Sequence, residues 1–368
     1  MKHEQCVIEI EGEEASDLYA DLSDLAVELD DELAAQFRLR LALDREQTGV
    51  WRYLDDERLA VWRQVTISAG FDDGVEELID GYITHLRPAF DPNPVGCTLE
   101  IWGMDRSVLL DRQEKLKAWP NKKDSDIARE IFRHPYALTP AVEDTVVVHD
   151  EAISTMIQRE SDMHFLRRLA ARNGFDCYVE GTTGYFRAPQ LTAAPQPVLA
   201  VHFGDETNVE WLTFEVDALL PANVTMQQID RLGKDVQSVS VTASRQPALG
   251  EIAAADLLAT GIDPGQIVIG QTAATGLPEM TALCQGLYQQ ATWFLTGEGE
   301  IQGNRYGHAL KPRRTVTIKG VGERYSGVYY VSHVTHTFGE DGYRQHFRVK
   351  RNALMPSGTE NFAATPDE

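Results

Sequence analysis

The chain is 368 residues long and 43% hydrophobic, enough to fill the cores of two or three domains. Its 57 acidic residues against 34 basic ones give a formal net charge of -23, which repels nucleic-acid backbones and anionic membranes, so neither is expected as a resting partner. Cys6, Cys97, Cys177 and Cys284 are widely spaced with no C-x-x-C pair, which points to a reducing compartment rather than to disulfides or a zinc site. No apolar run approaches ~20 residues and the first residues lack a leader's apolar stretch, so a soluble protein made in the cytoplasm is expected.

In chain order, Cys6 to Ile10 and Leu25 to Leu29 read as short strands. Phe37, Leu39, Leu41 and Leu43 alternate with Arg38, Arg40 and Ala42, the mark of a half-buried strand. Trp62 to Ala69 and Glu77 to Pro88 form a pair joined by FDDG, and Cys97 to Met104 closes a small antiparallel barrel or sandwich. Then the period changes. Asp124 is placed to cap a helix whose apolar face is Ile127, Ala128, Ile131 and Phe132, stopped by Pro135. Ser161 and Asp162 open a second helix that buries Phe165, Leu166, Leu169 and Ala170 and ends at Asn173-Gly174. Phe175 to Val179 and Tyr185 to Arg187 make a hairpin around GTTG. Strands return at Val198 to Phe203, Trp211 to Val216 and Val236 to Thr242. Ala248 to Ala274 reads as an irregular excursion, and Pro278 opens a helix running to about Trp293, with Leu283, Leu287, Tyr288 and Ala291 inward. Strands follow at Trp293 to Ile301 and Thr315 to Gly320; KPRR (Lys311 to Arg314) is an isolated basic run flanking the start of the latter. The polar stretch after Met355 is expected to be disordered or held by a partner.

The chain is organised around Tyr325 to Arg351, a hairpin with GEDG (Gly339 to Gly342) at its turn. Its first run alternates, with Val328, Tyr330, Ser332 and Val334 expected on one face and Tyr329, Val331, His333 and Thr335 on the other. Near the N-terminus Tyr82-Ile83-Thr84-His85-Leu86 matches Tyr330-Val331-Ser332-His333-Val334 position by position. Each copy follows a Val-Thr-Ile strand (Val65 to Ile67, Val316 to Ile318) and precedes a Gly-led strand with a charged end. One β-unit used twice is therefore expected, with Gly81, Tyr82, His85, Gly327, Tyr330 and His333 as its repeated marks.

The sequence offers little chemistry. His333 and His336 are three apart on a strand and face opposite ways, so they cannot share a metal ion. Gly320-Val321-Gly322 leads into a strand, not a helix, and is a turn rather than a phosphate loop. Asp30-Asp31, Asp55-Asp56-Glu57 and Asp72-Asp73 lack calcium-loop spacing and read as solvated faces. No catalytic, cofactor or metal site is expected. Glycosidase carboxylates are set in space rather than in sequence, so Asp124, Asp126, Glu130 and Glu160 are the set for a second reading.

The ordered segments DGYITHLRPAF (Asp80 to Phe90), IWGMDRS (Ile101 to Ser107), SDIAREI (Ser125 to Ile131), QRESDMHFLRRLAARNGFDCYV (Gln158 to Val179), GEGEIQGN (Gly297 to Asn304), SGVYYVSHVTHTF and YRQHFRVKRNA resemble the late control protein D family. These are baseplate hub proteins of contractile phage tails, related to the hub part of type VI secretion spike proteins and of phage-derived injection particles. The likeness runs from about Gly81 to Ala353 and is thin between Pro189 and Ala282.

The resemblance implies an α+β, mainly β chain: a first tube-like β-barrel at 1–112, an α/β insert at 113–197, a second tube-like barrel with its helix at 198–355, and a polar tail at 356–368. It implies a homotrimer whose six barrels form a quasi-sixfold ring, with obligate-sized contacts of ~2,000 Å² or more between chains. A tail tube or tube-initiator protein would meet one side and a separate spike chain the other, with wedge proteins as further neighbours. Such a symmetry adaptor is not an enzyme and ends up in a virion tail baseplate or injection particle. Carboxylates facing the lumen would keep acidic cargo off its wall. The second reading is a tail-associated peptidoglycan hydrolase using the carboxylates of the insert; a third is a free β-barrel binding module.

Overall fold

A computed structural model describes residues 5–47, 49–71, 74–153, 155–230, 233–257, 264–270 and 274–363. Asp72-Asp73 and parts of the 248–274 stretch lie outside the described residues.

The N-terminal lobe consists of β1 (Gln5–Ile10), β2 (Glu13–Glu14), β3 (Leu22–Asp30), β4 (Gln36–Ala42), β5 (Gln64–Phe71), β6 (Gly74–Ala89) and β7 (Thr98–Asp105). Period-two alternation places Leu25, Val27 and Leu29 of β3 and Phe37, Leu39 and Leu41 of β4 in one core with Ile8, Val65, Ile67, Ile83 and Ile101. Each fully buried aliphatic side chain of this kind contributes roughly 1.5–3 kcal/mol.

The insert follows: α1 (Val108–Asp111), β8 (Glu114–Trp119), β9 (Lys122–Lys123), α2 (Asp124–Arg133), β10 (Thr139–Val142), β11 (Val148–His149), β12 (Met156–Ser161), α3 (Asp162–Asn173), β13 (Asp176–Glu180) and β14 (Thr183–Arg187). Helices α2 and α3 bury the faces that their spacing predicts, around Phe132, Phe165 and Phe186. Ser161 caps α3 by accepting the His164 N–H, and Gly174 ends it in the left-handed region at φ +67°. Asp124 does not cap α2: the helix starts at Asp124 itself, after an extended Lys123. Its carboxylate is buried instead, 2.7 Å from His149 Nε2 and accepting 2.8 Å from Asn173 Nδ2, so it is not available to the helix end.

The C-terminal part runs β15 (Gln196–Ala200), β16 (Val209–Val216), β17 (Ala222–Ile229), β18 (Val236–Val241), β19 (Ile252–Ala253), α4 (Ala254–Leu257), β20 (Gly265–Ile269), α5 (Leu277–Ala291), β21 (Leu295–Gln302), α6 (Gly303–Tyr306), β22 (Thr315–Lys319), β23 (Gly327–Gly339), β24 (Gly342–Arg351) and β25 (Ala353–Leu354). Strands β18, β17 and β20 make a small sheet covered by Met280, Cys284 and Tyr288 of α5. Its strands β17 and β20 are additions to the sequence reading, and β20 lies within the stretch expected to be irregular. The tail is described to Ala363, and Lys319 Nζ donates to the Phe362 carbonyl at 3.0 Å, which ties the tail to its own chain at that point.

The two β-lobes have separate cores, yet their strands join into one 13-stranded sheet. Its main path is β16-β21-β24-β23-β3-β4-β7-β6-β5-β1-β2, with β22 on β23 and β15 on β22. The chain is mainly β, with the insert between the lobes in sequence. Among the described residues no helix is long and apolar enough to cross a membrane.

Candidate functional site

The repeated unit is a repeat of hydrogen-bonding register. Val65 faces Gly81 and Gln64 faces Tyr82 across β5 and β6; Val316 faces Tyr329 and Thr315 faces Tyr330 across β22 and β23. β6 slips against β7 between Ile83 and His85, and β23 slips against β24 between Val331 and His333. In both copies the hydroxyl of the intervening residue donates to the facing strand: Thr84 Oγ1 to the Trp102 carbonyl at 3.3 Å, Ser332 Oγ to the Arg348 carbonyl at 3.2 Å. A second pair of slips matches too, between Leu22 and Asp24 against β4 and between Val209 and Trp211 against β21. The order β3-β4-β7-β6-β5 thus recurs as β16-β21-β24-β23-β22. A bulge bends its strand and adds twist, so bulges at like positions give the lobes like curvature.

The bulge also corrects the expected faces of β23. Val331 and Val334 are both buried, because the alternation crosses over at Ser332. Of the six marks, Tyr82 and Tyr330, and His85 and His333, are equivalent; the glycines are not. Gly81 aligns with Tyr329, and Gly327 with Ile79. Gly81 serves a close strand approach, since a Cβ there would lie 2.0 Å from the Met104 carbonyl oxygen. Gly327 has φ +140° and makes room for the Arg351 guanidinium.

Equivalent residues have different surroundings. Tyr330 is buried and donates 2.8 Å to Asp176 of the insert, whose carboxyl burial pushes up to about 6 despite that bond. Tyr82 is half-buried beside Arg106. His333 sits in the junction between lobes. The second half of β23 pairs there with β3, from His333 with Asp30 to Phe338 with Leu25. His333 Nδ1 lies 3.1 Å from Asp30 Oδ2, while Asp30 Oδ1 accepts from the N–H groups of Glu32 and Leu33. Burial alone would raise the Asp30 carboxyl; these partners outweigh it and hold it at about 2. His336, on the opposite face, is wholly buried with Nδ1 2.7 Å from the Tyr343 hydroxyl, and burial pushes it down to about 3.

Among the described residues His85 has no such neighbour; it is exposed, with Nδ1 3.0 Å from the hydroxyl of the preceding Thr84. The β5 side of β6 ends where Trp62 N–H donates to the Ile83 carbonyl and Ile83 N–H to that of Arg63. Beyond it, among the described residues, no strand pairs with that edge of His85 to Ala89, and the outer edge of β16 is likewise open.

The sheet face turned away from the cores carries acids and bases in ion pairs: Arg38 with Asp24 at 2.6 Å, Arg344 with Glu300 at 2.7 Å, Arg348 with Glu298 at 3.3 Å. The carboxylates of the second reading are engaged within the insert. Asp126 meets Arg129, Glu130 meets Lys117 and Lys122, Glu160 meets Arg168, and Asp124 holds His149 and Asn173.

The family model of the Alg8 N-terminal domain matches residues 3–340. The chain belongs to the Alg8 N-terminal domain family. This Alg8 N-terminal domain chain shares its fold with a 43 kDa tail protein of prophage MuSo2 from Shewanella oneidensis, at TM-score 0.69 and 14% identity over 96% of this chain and 100% of that one. A tail protein from Neisseria meningitidis MC58 matches at TM-score 0.64 and 14% identity over 96% and 98% of the two chains. An E. coli type VI secretion component, described as structurally similar to the T4 bacteriophage tail proteins gp27 and gp5, matches at 0.59 and 11% over 95% and 79%. No curated protein matches by sequence. The mainly β fold with its insert is therefore the fold of phage tail proteins.

Proposed function

We propose that the chain is a non-enzymatic baseplate hub of a contractile phage tail or phage-like injection system, acting as a symmetry adaptor. Three copies form a ring of six like lobes, a near-sixfold face for a tail tube and a threefold face for a spike. The observation that carries this reading is the two matched pairs of bulges, because lobes of like curvature and strand order can occupy like places in a ring while the chain repeats only three times. The fold shared with phage tail proteins supports the setting. The ion pairs that occupy Asp126, Glu130 and Glu160, and the contacts of His149 and Asn173 with Asp124, favour a structural role for the insert over hydrolysis.

The test is light scattering with three-fold averaged electron microscopy of the purified chain. A three-chain particle with six density lobes is expected; a stable monomer at micromolar concentration would overturn the proposal. Clearing of a peptidoglycan gel, lost in Asp124→Asn/Glu160→Gln, would favour the hydrolase instead.

A further inference from the structure

The junction inside one chain is a template for the junction between chains. Aligning the lobes through their ladders places β3 on β16 with Val27 at Phe214, so Asp30 falls on Asp217 and Leu25 on Leu212. Asp217 keeps the local form of Asp30: its Oδ1 accepts the Leu219 N–H at 2.8 Å, as Asp30 Oδ1 accepts that of Glu32 at 2.8 Å. The β23 edge that receives β3 corresponds to the open β6 edge, with His85 for His333 and Phe90 for Phe338. Each chain thus ends in two halves of a joint whose complete form it contains.

We infer that β6 of one chain pairs antiparallel with β16 of a second copy, with His85 opposite Asp217, Leu86 opposite Val216, Arg87 opposite Glu215 and Phe90 opposite Leu212. This rests on the ring reading above and adds its interface and register. Three features argue for it. The core-facing residues at the open edges are incompletely covered: Leu86 is 39% and Val216 37% exposed, whereas their counterparts Val334 and Leu29 are 0% and 6%. Phe90, 58% exposed, would meet a leucine as Phe338 meets Leu25. On the opposite face two of the three cross-chain pairs bring together unlike charges or a hydrogen-bonding couple, His85 with Asp217 and Arg87 with Glu215, and the third sets Ala89 against Thr213; a histidine–aspartate couple already serves the joint within the chain. Opposite charges facing each other across strands add roughly 0.2–1 kcal/mol per pair. Pro88 stands where β23 has His336, so the joint between chains lacks one N–H and is looser than the one within.

The path from β16 to β6 contains eight strands, so three chains joined this way close 24 strands into a cylinder. Within one chain the two open edges are seven strand spacings apart, on the order of 30 Å along the sheet, beyond the reach of a disulfide.

The experiment combines Arg87→Cys and Glu215→Cys in the full chain under mild oxidation, read by non-reducing gel beside light scattering. Covalent dimers and trimers are expected from the double variant and none from either single one. Arg87→Glu should weaken trimerisation by about tenfold, and Arg87→Glu/Glu215→Arg should restore it. A trimer by scattering without cross-linking, or one that cross-links through Arg87→Cys/Thr213→Cys instead, would overturn this pairing and leave the hub standing. A monomer would overturn both.

Discussion

His336 and Asp176 are two buried titratable groups that push stability in opposite directions. The His336 imidazole sits at about 3 in the fold and near 6.5 when unfolded. Below pH 6.5 the unfolded chain binds a proton that the native one refuses, so stability is lost as pH falls towards 3. Asp176 is the reverse case, at about 6 folded against about 3.9 unfolded, so its contribution is present at low pH and lost as pH rises through 6. Between pH 6 and 4 they offset one another. Urea titrations at pH 6 and 4 should show His336→Phe gaining stability on acidification relative to the parent and Asp176→Asn losing it, by about 1 kcal/mol per pH unit. Arg351 is a third buried group: Nε and Nη2 donate to the Leu249 carbonyl, Nη1 to that of Ser326 and Nη2 to that of Met355. Arg351→Lys keeps the charge but cannot span three carbonyls, and should cost about 2–4 kcal/mol in a denaturant midpoint measurement.

At the scale of elements the bulges separate folding from association. Deleting Ser332 leaves Val331 and Val334 two places apart on the same face, so β23 pairs regularly with β24 and keeps its joint with β3; the chain should keep its circular dichroism spectrum, while the loss of the bend weakens self-association by light scattering. Deleting Thr84 disturbs the open end of β6 past Ile83; the chain should keep its far-UV spectrum but lose self-association by light scattering. The repeat was legible because the run Tyr-(Ile/Val)-(Thr/Ser)-His carries, in both copies, a bulge whose third residue donates its hydroxyl to the facing strand. The crossing of faces at Ser332 was not, since a run of apolar and hydroxyl residues alternates equally well with or without an extra member. The glycines misled for another reason: Gly81 answers to a neighbouring strand and Gly327 to a guanidinium, two causes with one residue type. β17 does alternate, with Ala222, Val224 and Met226 buried between Asn223, Thr225 and Gln227, so its period was in the sequence and was missed; β20, five residues led by Gly265 with Ile267 and Ile269 only half-buried, carries no clear period. Asp124 looked like a cap because its real partners, His149 and Asn173, lie 25 and 49 residues further along.

For the whole molecule, charge and shape compete. Each copy carries -23, so bringing three together is opposed by a long-range repulsion that salt screens, with a Debye length of about 10 Å at 0.1 M. A rim pair such as Arg87 with Glu215 is worth at most about 1 kcal/mol and does not outweigh it. Raising ionic strength from 50 to 300 mM should therefore strengthen the trimer in sedimentation equilibrium; a weaker one would mean that local pairs dominate. The mainly β character and the insert could be read from the sequence because they rest on periodicity, and the two lobes because Tyr82 to Leu86 echoes Tyr330 to Val334. The union of both lobes in one sheet could not, since it depends on which edge β3 finds.

The ion-paired face of that sheet has a consequence for traffic. If the cylinder closes, the tunnel is papered with Arg38, Arg344 and Arg348 as much as with Asp24, Glu298 and Glu300, each sign already neutralised by a neighbour. Neither a polyanion nor a polycation finds a foothold on such a surface, and what travels along it is sorted by girth rather than by charge.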